Sequence, residues 1–471
     1  MKQQSKVRAI DDFSASGIND ALSAQESIDP ADLDKIAANV RAHMDALCAS
    51  PEDRPAGSPF AAVRRHPDRR GSGLVCKMWD LAAAYRQLAR APKHGSCTVI
   101  ACWPTRLRRY QFFEQLSLAF GASSSVLSFN WMATALCRIV VGLLRLGSTN
   151  FYDDFTVIEE TELSESAKKS FELLMQLLGW SLKDLPEFAE TAEPLGAVLD
   201  LSRAKEGVAV IANKKKRVAD ISLEIERVLG AGGVTGVELA KLRGRLLFSR
   251  SLCFARFGGA ALRALGPACL NAGSTFASPE LRSALLNLRQ YLVQAPPRTI
   301  RLKHSGAPVL LTDGSFEMRG GLPLAGIGAI LLDPADHACE YFASVVPDSI
   351  LMPLSSQSKN PIFVVEAIAV LAAKRAWADR LRNRSCLIFI DNEATKAALI
   401  ACYSPAGIGA ATVQASVDLD INLQCLPWYD RVPTASNPAD APSRGDVPPL
   451  ISGWPAARRV ELPLGAASVS S

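Results

Sequence analysis

Seven carboxylates in this 471-residue chain fall into two sets, most of them where a strand stops or turns. Asp80 closes a short apolar strand read over Leu74 to Trp79, and Asp153 with Asp154 lies near the bend of a β-hairpin read over Asn150 to Ile158. If those elements pair in one sheet, three acids converge at its rim. Like charges so placed repel and need a counter-cation. Oxygen donors select Mg²⁺ or Mn²⁺. Two such ions about 3.5–4 Å apart stabilise both the attacking and the leaving oxygens of an in-line phosphoryl displacement. An isolated Asp-Asp is also ordinary turn chemistry, so the pair alone does not decide. A second set comprises Asp313 and Asp391 at strand ends, Glu366 on a helix and Asp440 near the C-terminus. Each taken singly is a solvated acid, but four disposed around a small sheet could again hold two metals.

The positioning elements follow from periodicity. Val126, Phe129, Ala133, Leu136, Val140 and Leu143 form one stripe of a long helix expected over Ser123 to Leu146. Ala167, Phe171, Leu174, Met175 and Leu178 form another helix. From 218 to 265 the pattern is all-helical, with a Thr235/Glu238 capping box after a glycine turn. Ser278 with Pro279 opens one more helix, which ends before the Pro296-Pro297 break. Beyond Pro308, strands at Val309 to Thr312, Gly326 to Leu332 and Tyr341 to Val346, a helix over Phe363 to Arg380 and a strand at Cys386 to Ile390 make an α/β domain.

These motifs carry a family resemblance. Trp79-Asp80-Leu81-Ala82-Ala83-Ala84-Tyr85 and Phe151-Tyr152-Asp153-Asp154-Phe155 resemble the catalytic motifs of retroelement reverse transcriptases. Ala119-Phe120-Gly121-Ala122-Ser123 resembles the motif that opens the helix beneath template and nucleotide. Lys6 to Ser14 with Asn19 resembles the fingers strand, and Leu195 to Asp200 the primer-grip region. Thr312-Asp313-Gly314-Ser315, Glu366, Ile390-Asp391-Asn392 and Asn437-Pro438-Ala439-Asp440 resemble the ribonuclease H domain that follows such polymerases. The ordered set, over roughly residues 1 to 450, is similar to DIRS-type, tyrosine-recombinase retrotransposon polyproteins.

The resemblance implies α+β and α/β folding. A right-hand polymerase (partial fingers, palm, thumb) precedes a ribonuclease H-like domain. The segments are 1–216 for fingers and palm, shortened at the N-terminus, 217–300 for thumb and connection helices, 301–450 for ribonuclease H, and 451–471 as a tail. It implies RNA-directed DNA polymerase and ribonuclease H activities on an RNA template, a DNA primer, dNTPs and an RNA–DNA hybrid. Asp80, Asp153 and Asp154, and separately Asp313, Glu366, Asp391 and Asp440, become catalytic metal ligands for two Mg²⁺ per site, with Mn²⁺ as a substitute. Lys6 and Arg8 would neutralise the triphosphate, Tyr85 would act as the steric gate against a ribose 2′-OH, and Phe120 and Gly121 would line the nucleotide site. Lys183 is either a general acid toward pyrophosphate or a surface lysine. Trp377 and Trp428 read as core. Two rival readings remain: a decayed nucleic-acid-binding relic, and an active ribonuclease H beside a dead polymerase. Ala119 departs from the usual Pro, and no histidine lies between Asp391 and Asp440.

Composition sets outer bounds. Apolar residues make up 48% and charged residues 21%, a globular profile. The formal charge of +5 hides a bias, since residues 51 to 110 hold twelve basic residues against four acidic ones. That segment is either a solvated face or a phosphate-binding surface. Eleven scattered cysteines with no CxxC argue against a disulfide framework or zinc knuckle and suit a reducing, intracellular compartment. No signal peptide and no membrane span are expected, the stretch Ala133 to Leu146 being broken by Arg138 and Arg145. The oligomeric state is not legible.

Overall fold

The computed structural model describes residues 13–14, 17, 19–21, 27–48, 73–231, 233–254, 258–270, 274–276, 278–302, 306–357, 361–404, 407–463 and 465. Lys6 and Arg8, and the arginines between 54 and 70, lie outside them. The fold mixes helices and sheets in two compact units, 1–210 with 300–302, and 211–299 with 303–471. The helical connection thus shares a unit with the C-terminal sheet, and the Pro296-Pro297 break does not part them.

In the first unit α1 (Leu33–Cys48) precedes β1 (Leu74–Asp80), the hairpin β2 (Val99–Cys102) and β3 (Gln111–Glu114), and α2 (Ser123–Ile139). Then come β4 (Gly147–Phe151), β5 (Asp154–Glu160) and α3 (Ser164–Leu177). Strands β1, β5 and β4 form an antiparallel sheet in which Trp79 faces Phe155 and Asp80 faces Asp154. Its core gathers Trp79, Phe129, Phe155 and Phe171, with Trp79 stacked on Phe171 at 4.1 Å. The long helix differs from expectation at its end. Val140–Leu144 widens into a π-turn, closed by Arg145 in the left-handed region. Taken together, Ser123–Leu144 is long and apolar enough to cross a bilayer by length and composition, contrary to the sequence expectation. Its Phe129, Ala133 and Leu136 are nevertheless buried in this core. A second sheet holds β6 (Thr191–Ala192), β7 (Val198–Asp200) and β8 (Val208–Ala212).

The second unit begins with α4 (Lys215–Gly230), β9 (Gly233–Thr235), α5 (Gly236–Ser251), α6 (Gly259–Cys269), β10 (Ser274–Phe276) and α7 (Pro279–Gln294). The Thr235–Glu238 capping box opens α5, and Ser278 caps α7. Strand β11 (Arg298–Arg301) returns to the edge of β8. The remainder runs β12 (Val309–Arg319), β13 (Leu322–Asp333), β14 (Ala338–Val345), α8 (Asp348–Gln357), α9 (Ile362–Ala376), α10 (Ala378–Leu381), β15 (Ser385–Ile390), α11 (Glu393–Ala401), α12 (Gly407–Leu423), β16 (Leu426–Arg431), α13 (Asp440–Ser443) and β17 (Arg458–Arg459). The sheet order is β16-β15-β12-β13-β14-β17, with β12, β13 and β14 antiparallel and β15 and β16 parallel to β12. Helix α9 is buried almost throughout. Its Lys374 donates to Ser416 at 2.9 Å, Asp420 at 2.7 Å and Tyr429 at 2.8 Å, tying α9, α12 and β16 together.

Three expectations are corrected. Asp313 does not end its strand, since β12 runs on to Arg319 and pairs with β13 along its whole length. Trp377 is core, but Trp428 is 68% exposed, because it lies on the outer face of edge strand β16. The segment after 450 is no mere tail: Ile451, Trp454 and Ala457 pack against the cluster of Ile330, Leu332, Cys339 and Tyr341, and β17 adds a strand beside β14. All eleven cysteines are free thiols.

Candidate functional site

The first acid cluster is built by register. Because β1 pairs with β5 to its last residue, Asp80 stands opposite Asp154. Asp153 occupies the β4–β5 bend, where its carbonyl accepts from Leu81 N at 3.2 Å. The Asp80 and Asp153 carboxylates are close enough to act on each other's charge. The backbone is strained on both sides: Ala83 (φ 58°) and Tyr152 (φ 51°) are left-handed without being glycine. Such residues cost about 1–2 kcal/mol each and cluster where function over-determines the geometry.

Burial raises the Asp153 carboxyl, with Asp80 adding to it, and pushes Asp154 up to about 6, with Asp153 and Asp80 adding to that. One cation answers them. Lys183, brought in by a Leu81–Leu182 bridge and by its own N–H on Asp80 O (2.8 Å), ion-pairs with the Asp80 carboxylate. It therefore belongs to this site, whatever its chemical role. Tyr85 meets Phe120 edge-on at 4.9 Å and Phe129 at 4.7 Å, and Arg86 lies over Phe120. Gly121 (φ 101°) adopts a conformation that favours glycine. The Asn19 amide donates to Gly121 O and accepts from Ser123 N, both at 3.0 Å, so it caps α2. Five sequence-named residues, Asp80, Tyr85, Phe120, Asp153 and Asp154, thus share one neighbourhood.

The second cluster assembles four elements of the second unit. Strand β15 runs parallel to β12 with Leu311 opposite Phe389, and continuing that register by two residues sets Asp313 against Asp391. Helix α9 brings in Glu366. It can do so because Gly314 follows Asp313: a Cβ there would lie 2.9 Å from Glu366 N. Helix α13, which begins with Asp440, lies on β13 over two glycines. A Cβ on Gly326 would sit 2.0 Å from Ser443 O, and one on Gly328 would sit 2.3 Å from Ser443 N. Glycine inside a strand marks such close approach, which is the sequence signal for these positions.

Burial pushes Glu366 up to about 9, helped by Asp391 and Asp313, and pushes Asp313 up to about 6, with Asp391 and Asp440 contributing. Around them Asn437 Nδ2 donates to Thr312 O at 3.0 Å, Thr434 Oγ1 donates to Asp391 at 2.9 Å, and Arg444 donates to Asp440 at 3.0 Å. Sequence reasoning quoted Asn437 without giving it a role and missed Thr434 and Arg444.

Among the described residues no group of three or more Asp, Glu, His or Cys side chains is drawn together closely enough to hold a metal as it stands. The donor sets nevertheless suit hard cations, being all oxygen. Each cluster also has buried carboxylate oxygens without a hydrogen-bond partner: Asp80 Oδ1 in the first, and Glu366 Oε2 and Asp391 Oδ1 in the second. Unpaired buried carboxylate oxygens are costly unless a proton or cation joins them.

No protein-family model matches the chain, and no curated protein matches it. Among solved structures it is similar to the foamy viral protease-reverse transcriptase dRH in complex with double-stranded DNA, at 14% identity and a TM-score of 0.37. The alignment covers 76% of this chain, which spans little more than half, 56%, of that one.

Proposed function

We propose that the chain is an RNA-directed DNA polymerase joined to a ribonuclease H, both working by two-metal phosphoryl transfer in a retroelement of the DIRS type. The observation that carries this reading is that each of two compact units brings acids its motif names beside one another around one sheet, with carboxylate oxygens left unpaired. The six-stranded sheet of the second unit supports it further, three antiparallel strands followed by two parallel ones beside a buried helix that bears Glu366.

Asp80, Asp153 and Asp154 would hold one pair of Mg²⁺ ions, and Asp313, Glu366, Asp391 and Asp440 the other. Ions held there would supply charge to the entering and leaving oxygens of a phosphoryl displacement. The chain's own residues orient the reaction. The Tyr85 ring, wedged against Phe120 and Phe129, fills the space of a ribose 2′-OH. Lys183 offsets the charge of the first cluster through Asp80. In the second, Asn437 and Thr434 fix the carboxylates of Asp313 and Asp391.

The test is primer extension on poly(rA)/oligo(dT), beside cleavage of an RNA–DNA hybrid, with Mg²⁺. Asp153→Asn should abolish extension and spare cleavage, and Asp391→Asn should do the reverse. Cleavage without extension in the parent would make the chain a ribonuclease H beside a dead polymerase. Binding without either activity, in Mg²⁺ or Mn²⁺, would make it a relic. If either substitution abolished both activities in a folded chain, the two-site model would be wrong.

A further inference from the structure

Between Tyr85 and Phe120 the chain leaves the core of the first unit and returns. Its stems are fixed: Leu118 N donates to Leu88 O at 3.0 Å, Ala89 bridges Ser117, and both leucines pack on the core that holds Trp79 and Phe155. Above them β2 and β3 pair antiparallel from Val99 opposite Glu114 to Cys102 opposite Gln111. Beyond this base the hairpin is in solvent. Trp103, Tyr110 and Phe112 are each more than half exposed, at 51%, 62% and 69%. Trp103 meets Tyr110 edge-on at 4.9 Å, an arrangement that leaves ring faces open.

A two-stranded ribbon that buries so little of itself is not stabilised from within. An exposed apolar patch of this kind marks a contact surface. Charge selects the occupant. The tip carries Arg106, Arg108 and Arg109, all exposed and without an ion pair among the described residues, while Glu114, the hairpin's one acid, is bound by Arg90. Flat rings interleaved with free guanidinium groups suit a polyanion that also offers π-faces, namely nucleic acid. Bases inside a duplex are already stacked, so these rings reward unpaired ones.

We propose that the β2–β3 hairpin is a platform for single-stranded nucleic acid, stacking bases on Trp103, Tyr110 and Phe112 and holding phosphates with Arg106, Arg108 and Arg109. The identity of the strand, the unpaired stretch of a template, rests on the polymerase reading above. The binding itself does not.

The probe is a labelled oligo(dT) of about 20 nucleotides, with a blunt duplex of equal length beside it, titrated by anisotropy against the full chain. Trp103→Ala and Phe112→Ala should each weaken oligo(dT) binding about tenfold and leave duplex binding within about twofold, and Trp103→Phe should retain affinity. Removing the three arginines should flatten the salt dependence of log K by roughly 2. Unchanged oligo(dT) affinity in Trp103→Ala overturns the platform, as does an equal loss on duplex. So does a parent dimer that Trp103→Ala dissociates without loss of affinity, which would make the hairpin a protein interface. A parent that binds duplex but not oligo(dT) fails the platform alone. A parent that binds oligo(dT) through these residues but does not extend a primer supports the platform and fails the catalytic reading alone.

Discussion

In the first unit three carboxylates share Lys183, which reaches them on the loop after α3. In the second unit no such lysine stands beside Asp313, Glu366 and Asp391 among the described residues, and the nearby guanidinium of Arg444 is engaged by Asp440. Burial comes first in both: it pushes Glu366 up to about 9, while Asp313 beside it and Asp154 in the first cluster each rise to about 6. The frames differ as well. The first cluster is held by strand register and strained turns, the second by backbone closeness over glycine. One site relieves its charge with a side chain. The other has burial and mutual repulsion unrelieved by a lysine, and these raise Glu366 and Asp313.

The hardest way to break the second frame is Gly328→Ala. The new methyl would meet Ser443 N and Pro442 C, which are backbone atoms that cannot swing aside. Helix α13 must then lift, carrying Asp440 with it. Overpacking of this kind costs about 1–3 kcal/mol, and displacing a reacting group by about 1 Å costs roughly a hundredfold in rate. Hybrid cleavage should fall by that order while primer extension stays intact, and a melting curve would register the strain. Unchanged cleavage would show that α13 does not position Asp440.

The first frame is sharpened by Tyr85→Ala. Opening the space between Phe120 and Phe129 should lower the preference for dNTPs over NTPs by at least about tenfold, as measured by single-nucleotide incorporation. An unaltered preference would return Tyr85 to packing alone.

Lys183→Met tests the shared lysine directly. Removing a positive charge about 4 Å from a divalent cation is worth up to roughly 2 kcal/mol in a water-like medium, less where salt screens it. Mn²⁺, titrated by electron paramagnetic resonance, should therefore bind the first cluster at least about fivefold more tightly. Asp154 should also titrate at a higher pH, since Lys183 now holds it down. The second cluster should not respond. Weaker Mn²⁺ binding would mean that Lys183 orders the carboxylates rather than competing for them.

Much of this was legible in the residues because it is local. Asp80 at a strand end, the Asp153-Asp154 bend, the Thr235–Glu238 cap and the start of α7 all follow from period and turn chemistry. What stayed hidden depends on distant partners. Lys183 finds Asp80 across more than a hundred residues of chain, and sequence cannot separate that from a surface lysine. The buried Lys374–Asp420 pair reads as ordinary solvated charge until α9 and α12 are packed together. Trp428 is apolar yet exposed, because only the sheet order reveals that β16 is an edge. Gly326 and Gly328 signal a close approach but do not say what approaches. The packed segment after 450 lacks periodicity and so offers nothing to read.

The smallest effect concerns what lies behind each frame. Gly147, at the start of β4, does for a side chain what Gly328 does for a helix. A Cβ there would fall 2.1 Å from His43 Nε2, so the glycine makes room for an imidazole from α1 beside the strand that leads to Asp153. Burial lowers the His43 pKa from 6.5 to about 4. The sign follows from proton counts. Between pH 6.5 and 4 the unfolded chain binds a proton at this position and the folded chain does not, so stability present above pH 6.5 is lost as the pH falls through about 4. Glu366 runs the other way: its contribution is full below pH 4.5 and is lost as the pH rises through about 9. Asp154, raised to about 6, also opposes His43 within its own unit, so the parent's raw pH profile is a sum. The difference between parent and His43→Leu isolates the imidazole. In melting curves from pH 7 to pH 4 the parent should lose ground on the variant by a few degrees, steadily and in that direction. A constant gap between the two would mean that His43 stays charged in the folded state and that Gly147 accommodates an imidazolium.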